Sequence, residues 1–127
     1  MTENILKKKS FDFAFRIVKM YKYLQDEKNE YVLSNQLLRS GTSVGAMVRE
    51  AEFAESISDF VHKMSIAQKE INESLYWIEL LYTSEYLTTQ QFESINNDAV
   101  EIIKLITSSI ITAKSKSKSK ANSNSNH

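Results

Sequence analysis

Apolar residues recur along the chain at three- and four-residue intervals in four stretches separated by short polar segments, the pattern of helices that each bury one face. In the first stretch Ala14, Ile17, Val18, Tyr21 and Leu24 predict a helix from about Phe11 to Glu27, with Ser10 as its N-cap. Asp26 to Glu30 reads as a turn. Leu37, Gly41, Val44, Val48 and Ala51 then alternate four- and three-residue steps, a heptad seam. The third stretch holds that rhythm longest, through Phe60, Met64, Ala67, Ile71, Ser74, Ile78 and Leu81, after an N-cap at Ser56 or Ser58. Beyond a turn at Tyr82 to Leu87, Thr88 and Gln91 have the spacing of a capping box. Phe92, Ile95, Ala99, Ile102 and Ile106 follow, flanked by Val100, Ile103, Leu105 and Ile110. Four helices of similar length joined by short connections predict an all-α, antiparallel up-down-up-down bundle.

Two features exceed what one such bundle needs. Gly41 and Gly45 stand one turn apart, and glycine costs a helix about 1 kcal/mol relative to alanine, so either another backbone packs closely there or the helix breaks. Ile66, Trp77 and Leu80 lie off the third seam among Glu70 and Glu73, more apolar surface than a lone bundle requires. Gly41, Gly45, Glu70, Glu73 and Trp77 are therefore candidates for a subunit interface.

From Lys114 the pattern dissolves into alternating Lys-Ser and then Asn-Ser. Such a stretch buries nothing, which divides the chain into a bundle, residues 1–113, and a disordered tail, residues 114–127. The tail is either a solubilising segment or a cationic arm for phosphates. The chain has no proline, two glycines and no cysteine, which disfavours hairpins and rules out disulfides and thiolate metal sites. Its 16 basic and 16 acidic residues cancel. Lys114, Lys116, Lys118 and Lys120 lie in the tail, however, leaving the bundle mildly acidic. On the outer side of the first helix, Lys8, Arg16, Lys19 and Lys22 form a basic stripe around Asp12. Charges interrupt the apolar run after Lys7 to Lys9, unlike a signal peptide, and no apolar run is long enough to span a membrane. A cytoplasmic protein is expected.

Catalytic chemistry has little to stand on. His62 is the one histidine before the tail. Asp59 and His62 are three residues apart, as in di-iron bundles, but those sites need a second such pair and two more carboxylates. Gly41 to Gly45 lacks the lysine and the preceding strand of a phosphate-binding loop. Glu50, Glu52, Glu55, Glu70 and Glu73 read as helix-surface acids paired with neighbouring cations. No cofactor, metal or small-molecule substrate is expected.

The run Gln36 to Ala46, with Glu50-Ala51, Asp59-Phe60, Lys63, Ile66-Ala67, Lys69-Glu70, Glu73 and Tyr76-Trp77, resembles the bacterial four-helix bundle family named for open reading frames in 23S ribosomal RNA intervening sequences. The resemblance spans roughly residues 5–112 and departs from the family at Met47, where asparagine is usual. It implies an up-down bundle, homopentameric assembly and no established enzymatic activity. It also implies distant similarity to the accessory bundles of diversity-generating retroelements, which pair with a reverse transcriptase and bind nucleic acid. Two readings result. One is a homo-oligomeric scaffold; the other is an RNA- or DNA-binding accessory factor that uses the stripe and the tail lysines.

Overall fold

The computed structural model describes residues 4–125, with side chains from Ile5 to Lys120. Four helices follow one another: α1 (Asn4–Lys28), α2 (Val32–Glu52), α3 (Ile57–Thr83) and α4 (Thr89–Ser125). Each packs on the next, and α4 returns to α1 by the smallest contact of the four. Both α1 and α3 start at one end, called the base below, where α2 and the bundled part of α4 finish.

The core coincides with the heptad seams. Buried positions are Leu37, Gly41, Val44, Val48 and Ala51 on α2, Met64 through Leu81 at four-three spacing on α3, and Ile95, Ala99, Ile102, Ile106 and Ile110 on α4. On α1 the seam is Leu6, Ser10, Phe13, Ile17 and Leu24, whereas Ala14, Val18 and Tyr21 are only partly buried. The helix therefore begins well before Phe11. Ser10 is no N-cap: it is buried within α1, where its hydroxyl donates to the Lys7 carbonyl at 3.1 Å. Lys7, Lys8 and Lys9 hid this start, since three charges look like a boundary although they sit on the flanks of the Leu6–Ser10 stripe.

The turns explain why helices stop where they do. Asn29 takes the left-handed conformation (φ 52°), and the N–H of Glu30 donates back to the Leu24 carbonyl at 2.9 Å, which closes α1. The buried Glu30 carboxylate then accepts from the N–H groups of Val32, Leu33 and Ser34 at 3.1, 3.0 and 2.7 Å. A negative group on three unpaired donors at a helix N-terminus satisfies hydrogen bonding and dipole together. Ser56 caps α3 by accepting from the Asp59 N–H at 3.0 Å, while Asp59 accepts from the Glu55 N–H at 3.2 Å. Glu85 (φ 69°) ends the turn after α3 as Asn29 does after α1. Thr88 and Gln91 form the reciprocal capping box at 3.1 and 2.9 Å.

Ala113 is the last buried residue of α4 among those described. Where the pattern predicts the helix to end at Lys114, α4 runs on to Ser125, with every side chain from Lys114 to Lys120 exposed. Packing does not support that extension, and an isolated lysine-serine helix is marginal in water. Residues 126 and 127 of the expected tail and 1–3 of the expected bundle lie outside the described residues.

Candidate interaction surfaces

The glycine pair faces inward. A Cβ on Gly41 would fall 2.8 Å from Cγ1 and 2.9 Å from Cγ2 of Ile17, and one on Gly45 would fall 3.3 Å from the Ser10 carbonyl oxygen. The backbone expected to pack there is α1 of the same chain. The close approach is thus met within the chain by α1, most tightly at the buried Gly41, and α2 passes through both glycines unbroken. Ser40 and Ser74 do the same for the α2–α3 pair: both are fully buried, and their hydroxyls meet at 2.9 Å. Met47, in the position of the family's usual asparagine, is partly buried against the core.

Outside this core, the α2–α3 flank carries a connected polar and aromatic cluster. Arg39 on α2 pairs with the Glu73 carboxylate, whose Oε2 also accepts from the Trp77 indole N–H at 3.0 Å. Tyr76, 58% exposed, stands edge-on to Trp77 with ring centroids 4.9 Å apart. Glu70 Oε2 lies 3.6 Å from Arg39, close enough for an ion pair and too far for a hydrogen bond. That oxygen is buried with no donor. Of the five interface candidates, Glu70, Glu73 and Trp77 thus share one surface.

The basic stripe of α1 divides. Arg16 turns towards α4, pairing with Asp98 and donating to Ser94 Oγ at 2.8 Å, so it is a seam residue. Lys8 pairs with Asp12 at 2.8 Å, while Lys19 and Lys22 make no ion pair among the described residues. Charge counting missed what lies between them. Phe11 and Phe15 are 54% and 55% exposed, with Arg49 5.3 Å from the first ring centroid and the Lys19 ammonium 4.6 Å from the second. Four-residue spacing on a face opposite the Phe13–Ile17 seam was the available signal.

Lys9 bonds Glu101 at 2.8 Å across α1 and α4, and that bond together with the charge of Glu101 raises its pKa. Lys63 is raised in the same way by Glu50. Asp59 serves α3 as a cap and His62 is exposed, and among the described residues no group of three or more His, Cys, Asp or Glu could hold a metal ion. No helix among the described residues is long and apolar enough to cross a membrane.

The family model for 23S rRNA-intervening sequence protein matches residues 2–108, nearly the whole bundle. The chain belongs to this family. A crystal structure described as a protein of unknown function from the S23 ribosomal protein family of Bacteroides thetaiotaomicron is 56% identical to this chain. It superposes with a TM-score of 0.85 and covers 87% of this chain and 98% of its own. No curated protein matches. Lys114 to Lys120 lie beyond the residues that the family model matches.

Proposed function

We propose that this protein is a non-enzymatic scaffold that works by assembling with copies of itself, five in the closed form, through the α2–α3 flank. The observation that carries this reading is the Arg39–Glu73–Trp77–Tyr76 cluster. Trp, Tyr and Arg are the residue types that dominate interface energetics, and here the Trp and Arg are already held in place by Glu73, which lowers the entropy lost on docking. Glu70 stands beside them as a second carboxylate for Arg39. Size-exclusion chromatography with light scattering tests the reading: wild type should elute at a multiple of the chain mass and Tyr76→Ala as a smaller species with unchanged helicity. A monomer at micromolar concentration refutes it.

A second reading, nucleic-acid binding by the base and the α4 extension, is favoured by the way charge is distributed. Residues 5–16, 43–69 and 101–113 form the half of the bundle towards the base and hold eight Lys and Arg against six carboxylates, and the α4 extension beyond it adds four lysines. Residues 17–42 and 70–100 form the other half and hold four against nine. The neutral chain is therefore polarised along its axis, with its cationic end where phosphates would bind.

A further inference from the structure

We infer that the base-proximal face of α1 and α2 binds single-stranded nucleic acid, with Phe11, Phe15 and Phe53 as stacking platforms and Arg49, Lys8 and Lys19 as backbone contacts. The inference rests on the nucleic-acid reading above and adds to it the surface and the strand type. Electrostatics alone places a polyanion at this end but leaves duplex and single strand equal. The aromatic rings separate them. Phe11 and Phe15 are more than half exposed one helical turn, about 6 Å, apart. Phe53, at the end of α2, is 80% exposed and lines the same open hollow as Arg49, the residue that also approaches Phe11. Arg49 thus joins the rings of two elements into one strip, with Lys19 over the far ring.

Three exposed phenylalanines interleaved with cations match the requirement of an unpaired strand, whose bases stack on aromatic faces while lysine and arginine neutralise the backbone. A duplex hides its base faces in its own stack and leaves the rings nothing to cover. Of the three carboxylates that line the hollow, Glu50 binds Lys63 at 3.0 Å and Asp59 caps α3, while Glu55 makes no ion pair among the described residues; beside Phe11, Asp12 pairs with Lys8 at 2.8 Å. Self-pairing of this face would set Lys8 and Lys19 of two copies against each other, which is repulsive.

The test is fluorescence polarisation of full-length protein with labelled twenty-nucleotide single-stranded RNA, single-stranded DNA and duplex DNA, at about 50 and 200 mM salt. Wild type should bind either single strand more tightly than the duplex. Phe11→Ala/Phe15→Ala should weaken single-strand binding by roughly tenfold or more and leave duplex binding as it was. Changing all four extension lysines to serine should weaken every ligand and lower the salt slope for single strands by about 3. No binding of any strand at low salt overturns the nucleic-acid reading itself. Binding that survives loss of both rings, or favours the duplex, overturns only the assignment to this strip. A change in oligomeric mass in the phenylalanine variant also overturns the assignment, because it gives the strip to self-association.

Discussion

Gly41 lets the backbone of α2 rest on Ile17: the missing Cβ would lie 2.8 Å from the Ile17 side chain, which is fully buried and, being β-branched, stiff. Gly41→Ala should therefore destabilise the bundle by about 1–3 kcal/mol despite the helix-propensity gain. Gly45→Ala, whose nearest contact is 3.3 Å, should be milder. Urea midpoints of the two variants decide the order, and equal midpoints would refute the packing account.

Glu30 gives a sharper capping test than the expected turn residues. Glu30→Ala leaves three N–H groups at the start of α2 without their acceptor and should cost about 1–2 kcal/mol. Glu30→Gln keeps an oxygen acceptor and should lose less. Thermal unfolding of both variants measures the difference.

The Ser40–Ser74 pair should show weak non-additivity. Each hydroxyl keeps a backbone acceptor when the other is removed, Ser74 the Glu70 carbonyl at 2.9 Å and Ser40 the Leu37 carbonyl at 3.4 Å, so either single alanine should cost about 1 kcal/mol or less and the double alanine about the sum of the two. A double-mutant cycle by chemical denaturation provides the coupling energy.

The Lys9–Glu101 bond predicts an alkaline signature. A lysine whose folded value is raised above the ordinary 10.5 contributes stability that is complete below that value and is lost as pH climbs through the raised one. The small difference between wild type and Lys9→Gln should be constant through neutral pH and vanish above the lysine range. Denaturation midpoints at about pH 7 and 11.5 check it.

The parts of the fold legible in the sequence were those fixed by periodicity and local capping. The α3 seam from Met64 to Leu81 and the Thr88–Gln91 box stand as their spacing predicts, because each depends on neighbours along one helix. The parts that were not legible depend on a partner helix. Gly41 announced a close approach without saying whether α1 or another chain made it. Arg16 looked like a member of the lysine stripe until α4 brought Asp98 beside it. Glu30 read as turn polarity because only the left-handed Asn29 aims its carboxylate at α2. Phe11 and Phe15 give no seam signal, because exposed aromatics interrupt the α1 pattern without belonging to its seam.

The bundle is a row of helices rolled into a ring, and its closing edge differs from its spine. α1 on α2 and α2 on α3 meet through glycine and serine at close range, while α4 reaches α1 through the smallest contact, with Lys9–Glu101 and Arg16–Asp98 at its surface. That edge is where the ring should part first, and high salt, which screens surface pairs, should ease the parting. An α4 released there can close on the α1 of a neighbouring copy through the same residues. Two chains would then be linked by contacts each already makes alone, so the route to a swapped dimer is built into the order of the helices.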